Sequence, residues 1–233
     1  MPSRSDNINA GLNRAAWDGD YNAVVTLLKK GASPRWRNTF GNNAINLAAA
    51  QGHIDIVQHY ISRGVSVKIK DKDGWTPLIW ASVKGHLPVV CLLLSYYGTN
   101  VHDVDNGIGW TAVMFASSRG HDSIVEALLD HGANLTGKTS LGWSPIVLAS
   151  RDGKVSVVDL LLLRGANFRD KNIDGKTCEQ FAIEGGHIDV YERLRRWTCF
   201  MVIICLEELI VFHALDCFFI ADLSGYIDGS FLC

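Results

Sequence analysis

The sequence predicts an all-α solenoid of antiparallel helix pairs with β-turn fingers, and three observations predict it. Five glycines, Gly41, Gly74, Gly109, Gly142 and Gly175, recur at intervals of 33, 35, 33 and 33 residues, a period that belongs to stacked supersecondary units. Within each period, two separate runs of apolar residues fall at helical spacing, as in Ile124, Val125, Leu128 and Leu129. A polar turn and a capping residue precede the first run, and a glycine ends each. Units of this kind cannot bury their apolar faces alone, so they stack and display side chains along one face. The expected function is binding, with no catalytic residue.

The elements follow in order. Residues 8–37 keep a helix pair (Leu12, Ala15, Ala16; Val24, Val25, Leu27, Leu28; Gly31) but carry Ile8 where the finger glycine would fall, the pattern of an N-terminal capping repeat. Residues 38–70 open their first helix at Asn43-Ala44, end it at Gly52, open the second at Ile54-Asp55-Ile56-Val57 and end it at Gly64. Residues 71–105 read most clearly: the turn Asp71-Lys72-Asp73-Gly74-Trp75 leads to Thr76, an N-cap, and Pro77, whose missing N–H costs nothing at the first helical position. Gly85 and Gly98 end its helices. The 35-residue interval holds one extra residue near Ser95-Tyr96-Tyr97-Gly98, expected to lengthen a helix end, and another near Asn106-Gly107-Ile108, expected to enlarge a finger. Residues 106–138 repeat the plan from Thr111-Ala112 to Gly120 and Gly132, and residues 139–171 from Ser144-Pro145 to Gly153 and Gly165. Residues 172–197 open at Thr177-Cys178, place Glu179 at an apolar position and end in Arg193, Arg195 and Arg196, the polar outer face of a C-terminal capping repeat.

The run Gly74-Trp75-Thr76-Pro77-Leu78, with Ala81, Gly85-His86, Val89-Val90, Leu92-Leu93-Leu94 and Gly132-Ala133-Asn134, resembles the ankyrin repeat across residues 8 to 197. The resemblance implies an array that binds other proteins through its fingers and concave helices. The family's Thr-Pro-Leu-His tetrapeptide is nowhere whole, because Asn46, Ile79, Met114, Val147 and Gln180 stand at the histidine position. The inter-repeat hydrogen bonds of that histidine are therefore expected to be missing, with ordinary stability as the result.

Residues 198–233 do not fit this plan. They hold Phe200-Met201-Val202-Ile203-Ile204-Cys205-Leu206, Leu209-Ile210-Val211-Phe212 and Phe218-Phe219-Ile220 after the basic triplet. A membrane anchor is one reading, which would make the chain a membrane-tethered adaptor. Glu207, Glu208 and Asp216 weigh against it at about 2.5–3.5 kcal/mol each near a bilayer centre. A helix folded back on the last repeat and an abnormal chain end are the other readings, and all three stay open.

The formal net charge of −2 leaves no electrostatic footprint for nucleic acid. No apolar signal core follows Met1, so a cytoplasmic, intracellular monomer is expected, with the nucleus left open. The six cysteines, at 91, 178, 199, 205, 217 and 233, show no Cys-x-x-Cys spacing and suit neither zinc nor a disulfide framework. Cys91 and Cys178 are expected to be buried. No cofactor and no metal is expected. The rival class is a nucleotide- or metal-dependent hydrolase, and two features bear on it. Gly132-Ala133-Asn134-Leu135-Thr136-Gly137-Lys138-Thr139 matches the phosphate-binding loop letter for letter. That loop needs a strand before it and a helix directly after it, whereas here a helix ends at Gly132 and a finger follows. The pairs His53/Asp55, His121/Asp122 and His187/Asp189 resemble acid–base or ligand pairs, but they recur at one register where an acid favours a helix N-terminus.

The aromatic pattern carries the binding expectation. Trp75, Trp110 and Trp143 each follow a finger glycine, a position that in the family the chain resembles faces partners. Repeats stacked about 8–10 Å apart would set the three indoles in a ladder. Phe40, Asn42, Lys72 and Asp73 belong to the same finger surface, and Trp17, Ala50, Gln51, Val83, Lys84, Ser118, Arg119, Arg151 and Asp152 to the adjoining concave face. Leu47, Trp80, Phe115, Leu148 and Phe181 are expected in the core. The partner is expected to be a protein or peptide. The competing reading is that the indoles pack on each other and stiffen the fingers.

Overall fold

Each unit after the first folds as a finger followed by two antiparallel helices, and the first as a helix pair alone, in a computed structural model that describes residues 4–199. The helices are α1 (Arg4–Asp18), α2 (Tyr21–Lys29), α3 (Ala44–Gln51), α4 (Ile54–Ser62), α5 (Pro77–Lys84), α6 (Leu87–Ser95), α7 (Ala112–Arg119), α8 (Asp122–Asp130), α9 (Pro145–Arg151), α10 (Val155–Leu163) and α11 (Cys178–Glu184). Residues 188–199 are also helical and are called α12. Odd-numbered helices pack in succession as an inner layer, and even-numbered helices as an outer one. Between the layers lie Ile45, Ile79, Met114 and Ile146 from the inner helices and Val57, Val90, Val125 and Val158 from the outer ones, all essentially inaccessible.

The caps explain where the inner helices begin. Asn43 accepts from the Asn46 amide at 3.1 Å, Thr76 from Ile79 at 3.3 Å, and Thr177 forms a reciprocal capping box with Gln180. Thr111 and Ser144 have the same extended backbone, but their hydroxyls make no cap bond, contrary to the expectation. The first helix begins at Arg4, ahead of residue 8, and runs for 15 residues where the other inner helices have seven or eight.

The fingers form a continuous ladder. In each, the base residue donates its amide to a carbonyl four or five residues on, as Asp71 does to Trp75 and Asp105 to Trp110. Its side chain accepts from amides across the turn: Asp71 from Asp73 and Trp75, Thr139 from Leu141 and Trp143. Backbone bonds then tie each finger to the next, from Lys72 to Phe40, Asn106 to Asp73, Ser140 to Ile108 and Ile173 to Leu141. The extra residue near Asn106 does enlarge a finger, stretching the turn by one position. The extra residue near Tyr96 does not lengthen a helix: α6 has nine residues like α4, α8 and α10. Instead Tyr96 leaves in an extended conformation, and Tyr97 stands 99% exposed.

Inter-repeat hydrogen bonding is present, supplied by a different histidine. The Nε2 of His53 donates to the Trp17 carbonyl at 3.0 Å, His86 to Ala50 at 3.0 Å and His121 to Val83 at 3.3 Å. Each ring lies across the glycine that ends the preceding inner helix. Gly85, at φ +83°, shows why: a Cβ there would sit 2.8 Å from the His121 ring. Only glycine accepts both the left-handed backbone and the ring.

Thr198 and Cys199 remain helical, two residues beyond the expected end at Trp197. The rest of the 198–233 segment, with its three readings, lies outside the described residues. Among the described residues no helix is long and apolar enough to cross a membrane.

Candidate functional site

The concave face is built where finger and inner helix meet. Leu78 and Ile79 turn into the core, which leaves the next residue, Trp80, beneath its own finger. Trp80 is therefore half-buried, not core; so are Phe115 and Leu47, while Leu148 and Phe181 are buried as expected. Trp80 donates its indole N–H to Asp71 Oδ2 at 2.8 Å, which fixes ring to finger.

The three finger indoles are half-buried and form an interdigitated row. Trp75 packs between Trp80 of its own unit and Phe115 of the next, with ring centroids 4.6 and 4.9 Å apart. Phe115 meets Trp110 at 4.8 Å. The Arg151 guanidinium lies 5.9 Å from the Trp110 ring and 4.9 Å from Trp143. Trp143 meets Phe181 at 4.8 Å. A ring or a guanidinium from a helix thus separates each indole from the next, because side chains of the following repeat fill the space between adjacent fingers.

Arg151 is held in place by a bidentate pair with Asp152, both contacts at 2.8 Å, and Asp152 also accepts from Ser118. Burial pushes the Asp152 carboxyl up, but the hydrogen bonds from Arg151 and Ser118 and the charges of Arg151 and Lys154 outweigh it and hold the group below the ordinary carboxylate range. Trp75, Trp110, Phe115, Arg119, Arg151 and Lys154 are among the residues lining one groove of about 770 Å³. A second groove, of about 610 Å³, lies toward the N-terminus against Trp17, Trp36, Phe40 and Leu47.

The other residues expected at the surface divide. Phe40 is 72% exposed at a finger tip and Trp17 46% exposed; Lys72, Asp73, Lys84 and Arg119 are exposed. Asn42 is not available as expected. It is buried, its amide donates to Asn38 Oδ1, and its carbonyl accepts from Asn13 Nδ2 at 3.1 Å. Ala50 and Val83 are likewise buried, because α3 and α5 turn those small side chains inward. Trp80, Phe115 and Trp36 were not expected on this face. Trp36 lies near the finger in which Asn42 stands where the next three have tryptophan, and that missing indole was the available signal.

The two features bearing on catalysis have structural occupations. Gly132 leaves α8, the next helix opens only at Pro145, Lys138 pairs with Asp170 at 3.0 Å, and the Thr139 hydroxyl serves the finger. Of the three His/Asp pairs, His53 and His121 bond to carbonyls as described and the His187 ring lies across Gly153, while Asp55 and Asp122 accept first-turn amides from Ile56 and Ser123. Cys91 is exposed, against expectation, because its position on α6 faces outward; Cys178 is buried, and burial above all pushes its thiol up to about 12.

The model of a protein family described as ankyrin repeats (3 copies) matches residues 12–105 and 97–172. Among solved structures, the chain is similar to one in the complex of the Bd0816 predatory endopeptidase from Bdellovibrio bacteriovorus with immunity protein Bd3460. The identity is 26% and the TM-score 0.73, over 84% of this chain and 99% of the other. No curated protein matches significantly.

Proposed function

The chain belongs to the ankyrin repeat family, and we propose that it is a non-catalytic adaptor that holds a protein or peptide against its fingers and concave helices. The observation that carries this reading is the row of half-buried rings from Trp80 to Trp143, braced by Arg151 and ending against the buried Phe181, along a groove spanning several repeats. Tryptophan and arginine dominate interface hot spots, where flanking contacts exclude water. The rings are already held by finger and helix, so little side-chain freedom is lost when a partner covers them. The match to a chain from a solved two-protein complex supports the reading at the level of mode.

At most about a third of each indole is still exposed, so a partner removes at most about 80 Å² more from water, worth up to about 2 kcal/mol or roughly thirtyfold in affinity. The test is capture of a partner by the full chain, repeated with Trp110→Ala and with Leu163→Ala, which truncates an exposed residue of α10. Loss of partner with the first and retention with the second is expected. Equal retention by both would remove the concave face from consideration.

A further inference from the structure

We infer that the groove at the N-terminal end takes an aromatic side chain carried on a turn of the protein partner, seated where a first finger would stand. This rests on the concave-face reading above and names one anchor of its occupant. Every unit after the first begins with a finger, whereas α1 is helical through residues 4–9, where a finger of the first unit would fall. The helix ends fix the register: Gly19 follows α1 as Gly52 follows α3, each under the ring of a histidine in the next unit, His53 and His86. Arg14 therefore stands where Leu47, Trp80 and Phe115 stand in the following units.

The array itself shows what such a position holds. Trp75 lies between Trp80 of its own unit and Phe115 of the next. The same interval in the first unit lies between Arg14 and Leu47, and both line the groove of about 610 Å³. Around them the groove wall is aromatic: Trp17 and Phe40 are exposed and Trp36 is half-buried. The backbone edge is open at the same place. Lys72, Ser140 and Ile173, each two residues before a finger glycine, donate an amide to the finger before them. Thr39 stands at that position, is exposed, and its amide donates to no group among the described residues. A partner segment that offers Thr39 a carbonyl extends the finger ladder by one member, and its ring then enters the interval that Trp75 fills elsewhere. Main-chain bonding to an open edge, with a pocket for one side chain, is a general mode of peptide docking.

A second copy of this chain does not supply that ring. The other end of the ladder is the last finger, where Lys176 stands at the position of the indole and pairs with Glu184 at 2.8 Å. Head-to-tail stacking would bring an ammonium group, not a ring, to the wall formed by Trp17 and Trp36. Arg14 also favours an aromatic occupant. Paired with Asp18 at 3.4 Å, its guanidinium can lie over an incoming ring as Arg151 lies over Trp143.

The experiment titrates the isotopically labelled full chain with a synthetic peptide of the chain's own finger, residues 71–76, and with the same peptide carrying Trp75→Ala, and follows nuclear magnetic resonance shifts. Saturable shifts of the Thr39 amide and of the Trp17 and Trp36 indole N–H groups are expected with the tryptophan peptide. Binding should fall by at least about tenfold with the alanine peptide and in Trp17→Ala. Ala10→Trp, which fills the groove from an exposed position of α1, should abolish the shifts. Equal shifts with both peptides, shifts confined to Trp75, Trp110 and Trp143, or no shifts at millimolar peptide each overturn the inference. So does self-association of the chain that is lost in Trp17→Ala, which would give the groove to a second copy. In all these cases loss of the captured partner with Trp110→Ala keeps the concave-face reading standing. Conversely, saturable Thr39 shifts with a partner indifferent to Trp110→Ala would uphold the N-terminal anchor and remove the indole row.

Discussion

Asp71 and Asp152 perform the same service at two points of the array: each carboxylate fixes a large side chain against the fingers. Asp71 accepts from the Asp73 and Trp75 amides and from the Trp80 indole, so Trp80→Ala removes a ring contact and also leaves Oδ2 without its donor. Because the ring is only half-buried, the expected cost is about 2 kcal/mol, below the 3–5 kcal/mol of a core tryptophan, read from urea unfolding. A cost of core size would return Trp80 to the interior, where the sequence alone had put it. Asp152 makes a pH prediction. Its folded carboxyl is held below the unfolded value, so its stabilisation is fully present above the unfolded value and is lost as pH falls through the folded one. The midpoint gap between the natural chain and Asp152→Asn should therefore be open at neutral pH and close well below about pH 4. A gap unchanged with pH would mean that the Arg151 contact contributes nothing.

At the scale of the element, the glycine that ends an inner helix has two duties, and a pair of substitutions separates them. Gly85, after the inner helix α5, and Gly132, after the outer helix α8, have nearly the same backbone, φ +83° and +84°, but a Cβ on Gly85 meets the His121 ring at 2.8 Å while one on Gly132 meets nothing within 4 Å. Gly132→Ala is expected to cost about 1 kcal/mol of backbone strain. Gly85→Ala should cost about 2–3 kcal/mol, since the ring is also pushed from the Val83 carbonyl, and only here should the His121 side-chain resonances move. Equal costs would show that the histidine contributes no stability. The same comparison shows what was legible in the sequence. Both glycines could be placed as helix stops, because the left-handed conformation is a local property. The histidine bond could not, because its acceptor lies in the preceding repeat: 36 residues away for His53 and His86, and 38 for His121. The same holds for Trp80 and Phe115. Their spacing marks the inner face of a helix, but whether that face meets core or groove depends on the finger folded over it. Trp75, Trp110 and Trp143 were legible as a row, since each follows a turn glycine, while the rings that interleave them come from the helices.

Across the whole molecule, contacts run from each unit to its neighbours and little further: inner helix to inner helix, outer to outer, finger to finger. A single unit therefore has no interior of its own. Residues 71–105 carry the best helix signals in the chain, including the Thr76 cap and Pro77, yet α5 and α6 have eight and nine residues, below the roughly 12–15 at which isolated helices become marginal in water. Their buried residues, Leu78 and Val90 among them, would face solvent on both sides once α3 and α7, and α4 and α8, were gone. The fragment 71–105 is expected to show almost no helical circular dichroism. Residues 38–171 keep every inter-unit contact among four units and should be helical, unfolding in one transition with a urea dependence that scales with the surface exposed. Gly85→Ala placed in that fragment should lower the midpoint more than it does in the full chain, because fewer interfaces remain to hold the strained unit. A helical, cooperatively unfolding 71–105 would mean that stability lies within the unit, and the coupling here assigned to fingers, glycines and histidines would lose its basis.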